Sequence, residues 1–256
     1  MEKLQVKGVG IEVQRLPGST RRPLAPIIFL HEGLGSVAMW RDWPRQVCDE
    51  TGRAGIVYSR RGYGRSDSIP DVRGAGRLGP DYMHREAQEE LPGLLEALEI
   101  EGPVLLGHSD GATIALLHAS RFPVTACVVM APHVIVEDLS VQSIAQARDA
   151  YGSGGLRERL GRYHADVDCA FWQWNDIWLS PAFRDFDIRT DCRRIEAPVL
   201  AIQGEEDPYG TLRQIEEITP RGPFEKLVLP QCGHSPHRDQ PDRTCQRIAQ
   251  FLADLP

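Results

Sequence analysis

Ser109 sits between glycines in the run Gly107-His108-Ser109-Asp110-Gly111. A serine hydroxyl is a poor nucleophile until a base takes its proton, and the base in turn needs an acid to orient it. Both residue types recur downstream, in Gly204-Glu205-Glu206-Asp207 and in Gly233-His234-Ser235-Pro236-His237. Glu205, Glu206 and Asp207 are rival acids, and His234 and His237 are rival bases. The chemistry available to such a set is attack on a carbonyl carbon through a covalent serine intermediate. No spacing of His, Cys, Asp and Glu suggests a metal site, and no Gly-x-Gly-x-x-Gly follows a strand, so no cofactor or metal is expected.

These residues need a frame that presents them together. Six apolar runs read as buried strands: Pro26 to His31, Arg53 to Ser59, Pro103 to Gly107, Thr125 to Met130, Pro198 to Gln203 and Lys226 to Leu229. A further extended stretch covers Gln5 to Val13. Continuous apolar strands imply burial on both faces, the mark of a parallel sheet. Helical patterns lie between them at Met39 to Glu50, Asp81 to Leu98 (N-cap Asp81), Asp110 to Arg121, Thr211 to Ile218 and Asp242 to Leu252. The alternation predicts an α/β fold with a mostly parallel sheet and helices on both faces. Each chemical motif follows one of the strands, and Ser109 stands between the strand Val104 to Leu106 and a helix.

Val134 to Arg194 interrupts the rhythm with about 60 residues between two strands, where connections run to roughly 2–6. The expected organisation is a core of residues 1–133 and 195–256 and a small helical cap inserted at 134–194. The insertion carries helical patterns at Val141 to Tyr151 and Leu156 to Tyr163. It also holds an aromatic cluster: Phe171, Trp172, Trp174, Trp178, Phe183 and Phe186. Most of these rings are expected to pack the cap onto the body, with Trp174 or Trp178 as the candidates for a pocket wall.

Composition narrows the function classes. The chain has 256 residues, 41% of them hydrophobic, and a net charge of −7 with no basic tract. That balance suits an ordinary globule with a sizeable core and argues against nucleic acid as a partner. The longest nearly apolar run, Ala126 to Val136, contains Pro132 and His133 and is shorter than the ~20 residues of a membrane span. Met1 to Gly10 has no apolar segment of the secretory kind. The expectation is a cytoplasmic protein acting on a small molecule, without membrane contact and with its oligomeric state left open. The six cysteines (Cys48, Cys127, Cys169, Cys192, Cys232 and Cys245) form no Cys-x-x-Cys pair and are expected as free, buried thiols.

Four motifs in order give the sequence its resemblance to the α/β-hydrolase superfamily, of the compact capped kind. They are His31-Glu32-Gly33-Leu34-Gly35-Ser36, Arg61-Gly62-Tyr63-Gly64-Arg65-Ser66-Asp67, the turn around Ser109, and the pair Gly204 to Asp207 with Gly233-His234. The resemblance spans nearly the whole chain and implies a triad of Ser109, Asp207 and His234, with Asp207 at the family's Gly-x-x-Asp position. It implies an oxyanion hole from the backbone N–H of Asp110 and of Gly33, each worth on the order of 3–4 kcal/mol in the transition state. The implied activity is a serine hydrolase on a small carboxylic ester. Hydrolysis of a ring-cleavage diketone or a thioester is the alternative on the same triad, and a non-catalytic ligand-binding protein is the alternative of another class.

Departures from the family pattern set further expectations. Glu32 stands where the family has Gly, and is expected either in a salt bridge to Arg60, Arg61 or another basic group, or against substrate. Ser59 replaces an Asp, so an ion pair is expected to be missing there. Arg60 reads as a solvated surface residue or a contact for an anionic substrate. His31 reads as structural, and His108 as turned away from the nucleophile. His133, at the sheet edge where the cap begins, is open between a pocket role and a structural one.

Overall fold

The structure is a computed structural model that describes residues 1–20 and 23–256. Its eight strands are β1 (Glu2–Val6), β2 (Val9–Leu16), β3 (Ile27–Leu30), β4 (Gly55–Tyr58), β5 (Val104–His108), β6 (Ala126–Met130), β7 (Val199–Gly204) and β8 (Phe224–Leu229). They form one sheet in the order β1-β2-β4-β3-β5-β6-β7-β8. β1 and β2 are an antiparallel hairpin, β2 runs antiparallel to β4, and every other pairing is parallel.

The unbroken apolar runs have a direct physical meaning here. Successive side chains of a strand point to opposite faces. Ile28, Leu30, Leu105, Cys127, Val129, Val199 and Ala201 enter one hydrophobic core, while Ile27, Phe29, Val104, Leu106, Val128, Leu200 and Ile202 enter the other. Both faces are therefore covered. β8 departs from the expected burial, because Glu225 and Lys226 are exposed on a strand that closes the edge of the sheet. Such charges discourage pairing with another chain.

The helices are α1 (Trp43–Thr51), α2 (Tyr82–Arg85), α3 (Leu91–Ala97), α4 (Asp110–Ala119), α5 (Asp138–Gly152), α6 (Gly155–Leu160), α7 (Val167–Trp178), α8 (Arg189–Cys192), α9 (Arg213–Glu216), α10 (Pro236–Asp239) and α11 (Pro241–Leu252). Two differ from the sequence expectation. The stretch Met39 to Glu50 is split, because Arg41 takes φ 55° between a 3₁₀ turn at Val37–Trp40 and α1. The stretch Asp81 to Leu98 carries a π-helical turn at Glu86–Glu90 joining α2 to α3, and the Asp81 side chain makes no capping bond.

Between β6 and β7 lie α5 to α8. The aromatic cluster falls largely on α7, whose N-terminus is capped by Asp166 accepting from Cys169 N. This segment is joined to the loop after β4 by Ala165 N donating to Gly64 O at 2.8 Å and Gly64 N donating to His164 Nδ1 at 2.9 Å. Arg73 reaches Asp176 at 2.8 Å and lies 3.8 Å over the Trp172 ring. All six cysteines are free and buried. No helix of the described residues is long and apolar enough to cross a membrane.

Candidate active site

β5 ends at His108, and Ser109 turns the chain into α4 with φ 54° and ψ −119°. A non-glycine residue at positive φ is strained, and strain of this kind aims a side chain. The flanking glycines make the turn physically feasible. A Cβ on Gly107 would lie 2.3 Å from Gly111 O, and one on Gly111 would lie 2.1 Å from Leu30 O. Ser109 N donates to Met130 O at 2.9 Å, which ties the turn to the end of β6. Asp110 opens α4, so its N–H belongs to the first turn, where helix N–H groups lack intrahelical acceptors.

The parallel register brings the ends of β3, β5, β6, β7 and β8 to one edge of the sheet, where a crevice forms. Asp207, after β7, and His234, after β8, meet there. His234 Nδ1 lies 2.9 Å from Asp207 Oδ1 and 2.8 Å from Oδ2. Tyr209 N and Gln203 Nε2 also donate to the Asp207 carboxylate, at 2.8 and 2.7 Å. Burial pushes this carboxyl up, but the His234 contact, its charge and the Tyr209 N–H outweigh that and hold it below the usual carboxylate range. A carboxylate on Nδ1 leaves His234 Nε2 as the free proton acceptor. His237 is buried among Trp40, Trp43 and His108, away from Asp207. Glu205 and Glu206 are exposed.

A cavity of about 200 Å³ gathers Glu32, Gly33, Ser109, Asp110, His133, Trp174, Trp178 and His234, with Leu34, Ile144 and Tyr209 as apolar wall. Of the residues singled out from the sequence, Glu32, Gly33, Ser109, Asp110, His133, Trp174, Trp178 and His234 line this one space and Asp207 reaches it through His234, whereas Arg60, Glu205, Glu206 and His237 do not line it. A larger cavity of about 330 Å³ lies beyond Tyr82, but its lining holds no serine and no histidine. Among the described residues no cluster of His, Cys, Asp and Glu could hold a metal ion.

Of the flanking charges, Glu32 takes its expected salt bridge from another basic group, Arg238 at 3.1 Å, and not from Arg60 or Arg61; it also lies 3.5 Å from His108 Nδ1. Arg60 is not a surface residue: it is 2% exposed. Its guanidinium donates to His31 O at 2.5 Å and Glu32 O at 3.2 Å, and lies 4.0 Å from the Asp110 carboxylate. A buried cation needs such partners, and Arg60 thereby braces the loop that carries Gly33. The Asp110 carboxyl is pushed above its usual range by burial, against the pull of Arg60 and of the Tyr82 hydroxyl, which donates to it at 2.7 Å. At Ser59 the missing acid is supplied from elsewhere in the chain, since its hydroxyl donates to Glu12 at 2.8 Å.

The histidines separate by their partners. His31 donates from Nδ1 to Glu32 O at 2.7 Å and accepts from Arg60 N at 3.0 Å, a structural role. His108 packs against His234 and lines the cavity, with Nε2 donating to His234 O at 2.7 Å. His133 faces Ser109, its Nε2 3.4 Å from Oγ. Trp178 donates to the Tyr82 hydroxyl at 3.0 Å and meets the His133 ring edge-on at 4.8 Å. Trp174 lies against Gly33, where a Cβ would come within 2.2 Å of its indole Nε1. Gly33 is thus needed for the close approach of a ring from the β6–β7 segment. Trp172 does not line the cavity.

A sequence profile described as the alpha/beta hydrolase family matches residues 27–247. The chain belongs to the alpha/beta hydrolase family. Among curated relatives of this hydrolase is a proline iminopeptidase of Levilactobacillus brevis, 23% identical over 93% of this chain and 92% of the relative. Another is a 2-hydroxy-6-oxo-2,4-heptadienoate hydrolase of Pseudomonas putida, 25% identical over 89% of each. Among solved structures, a membrane phospholipase A superposes with a TM-score of 0.78 at 17% identity, covering 98% of this chain and 84% of that one. An enol-lactonase of Burkholderia xenovorans gives a TM-score of 0.72 at 18% identity, covering 98% and 100%. By their names these relatives and structural neighbours are an iminopeptidase, a heptadienoate hydrolase, a phospholipase and a lactonase.

Proposed function

We propose that this alpha/beta hydrolase cleaves a small carboxylic ester through an acyl-enzyme on Ser109. The observation that carries the reading is one cavity holding both a strained, positive-φ serine and a histidine whose Nδ1 is 2.8 Å from a buried carboxylate. Ser109 Oγ attacks the carbonyl carbon while His234 Nε2 takes its proton. Asp207 holds the His234 tautomer and offsets the charge of the imidazolium. The N–H groups of Gly33 and Asp110 receive the oxyanion. His234 then passes its proton to the leaving alcohol, and a water activated by the same imidazole releases the acid.

A cavity of about 200 Å³ lies below the roughly 300–1,000 Å³ of sites for drug-sized ligands, which favours a short acyl group. The α5–α8 segment acts as a cap, with Trp174, Trp178 and Ile144 as its face toward the substrate. The Pseudomonas putida relative supports a second reading, carbon–carbon cleavage of a ring-cleavage diketone by the same serine and histidine. A panel of short and long p-nitrophenyl esters, thioesters, prolyl amides and diketones, with Ser109→Ala as blank, tests the assignment. Ester turnover that exceeds all other classes supports it. Turnover of diketones or prolyl amides alone would replace it.

A further inference from the structure

His133 is the side chain whose polar atom comes within hydrogen-bonding distance of the Ser109 hydroxyl among the described residues, Nε2 lying 3.4 Å from Oγ. Ala131, two residues earlier, is held at φ 48° with its N–H on Ile202 O at 2.8 Å, a strained turn that leads the chain off β6. His133 N then donates to Thr113 Oγ1 at 2.9 Å, and that hydroxyl is placed to donate to His133 O at 3.0 Å and Ser109 O at 3.3 Å. One threonine on α4 therefore fixes the backbone of the imidazole relative to the backbone of the nucleophile. Val134 N donates to Gln214 Oε1 at 2.7 Å and extends the anchorage. The ring is 2% exposed and rests edge-on against Trp178.

The position of the ring proton follows from the same geometry. Burial, and then the neighbouring His234, push the His133 pKa down to about 3, so the ring is neutral and carries one N–H. Nδ1 has no hydrogen-bond partner. A proton on Nδ1 would be a buried donor without an acceptor, a loss of about 1–3 kcal/mol. A proton on Nε2 has an acceptor, Ser109 Oγ, at 3.4 Å. The Nε2–H tautomer leaves only a bare lone pair unmatched. The serine oxygen then accepts from His133 while its own proton stays available to His234.

We propose that His133 is a further catalytic residue, whose Nε2–H donates to Ser109 Oγ and stabilises the negative charge this oxygen carries while it is between proton and acyl group. The inference rests on the serine-hydrolase reading above. In acylation the Oγ proton passes to His234 Nε2, an Oγ lone pair forms the bond to the acyl carbon, and the carbonyl π pair moves onto oxygen. In deacylation water supplies the new bond to the acyl carbon and its proton to His234. The Oγ–acyl bond then breaks with its electron pair on Oγ, which recovers a proton from His234. His133 keeps its own proton throughout both halves and steadies Oγ in each.

The test compares His133→Phe, which keeps a ring but has no donor, with His133→Gln, which restores an N–H. The readouts are the second-order rate of Ser109 labelling by a fluorophosphonate probe, the burst and steady-state rates on a p-nitrophenyl ester, and the melting temperature. The expected result is a loss of about a hundredfold in labelling and burst rate for the Phe variant, the order seen when one donor to a developing anion is removed. KM is expected to hold, and the Gln variant is expected to recover most of the loss. A Phe variant that labels as fast as the parent overturns the proposal, as does a Gln variant as slow as the Phe variant. Should the Phe variant fail to fold, His133→Asn, whose shorter amide falls away from Oγ, takes its place with the same expected loss. Absence of Ser109 labelling in the parent protein would overturn the hydrolase reading together with this one, whereas normal labelling of the parent and of both variants would overturn the role of His133 alone.

Discussion

Glu32 stands beside Gly33, the proposed oxyanion-hole donor, where an unpaired carboxylate would repel the charge formed in the proposed reaction. Arg238, 3.1 Å away, and His108, 3.5 Å away, draw its charge toward the protein instead. Burial alone would raise its pKa, but the neighbouring His108 and then the Arg238 guanidinium outweigh burial and hold the group well below the usual range. A depressed folded-state pKa means a stabilising contribution that is complete above the unfolded value, about 4.3, and lost as pH falls through the lower folded value. Glu32→Gln is therefore expected to melt below the parent at pH 7, with the gap narrowing on acidification below pH ~4. Melting curves of both proteins from pH 3 to 8 check this, and a gap that is constant with pH would contradict it. Glu32 and Arg238 are 206 residues apart, so no local pattern could have paired them. The same holds for Arg60: its burial is decided by His31, Glu32 and Asp110, and a residue pattern read along the chain carries no sign of them.

At the scale of elements, two junctions carry the site. The first is the turn from β5 to α4. Gly111 faces the backbone of β3, not a flexible side chain, so an added methyl group has nowhere to go: its Cβ would be 2.1 Å from Leu30 O. Gly111→Ala is expected to cost at least the ~1–3 kcal/mol of an overpacked core and to shift the serine. Thermal denaturation measures the first and fluorophosphonate labelling the second; an unchanged melting temperature would contradict the tight junction. The second junction is α7 over the crevice. Trp178 is bonded to Tyr82 and packed on His133, whereas Trp174 lies free of such bonds against Gly33. Trp174→Ala is expected to shift relative kcat/KM between bulky and small acyl groups by about tenfold or more, the ~1–3 kcal/mol of a pocket contact. Trp172→Ala, outside the cavity, is expected to leave that ranking unchanged. A lowered melting temperature with the same ranking for Trp174→Ala would make the ring packing alone. The strands that frame these junctions were legible from their apolar runs because both faces are buried. α7 was seen only as an aromatic cluster, since rings around most of a helix blur its period. The π turn at Glu86–Glu90 left no mark in composition.

The whole molecule joins these scales by a simple device. A parallel sheet covered on both faces sends its strand ends to one edge, and the chain places a chemically able residue after each of them. That much could be read in advance, as each motif follows a strand and the motifs keep their order: Ser109, Asp207, His234. What the sequence could not supply was the direction of each side chain inside the crevice, which depends on contacts between residues tens to hundreds of positions apart. His133 illustrates it, for a histidine after β6 could as well have been structural until its ring was seen 3.4 Å from Ser109 Oγ. The central claim is that Ser109 carries the reaction as a nucleophile. Its most direct measurement is mass-spectrometric mapping of fluorophosphonate labelling and of the acyl-enzyme trapped with a p-nitrophenyl ester, in the parent and in Ser109→Ala. The account predicts one adduct, on Ser109, and a folded Ser109→Ala protein with no adduct and with kcat lowered by at least about a thousandfold, toward the ~10⁶ typical of a lost nucleophile. An adduct on another residue, or ester turnover by Ser109→Ala close to that of the parent, would contradict it.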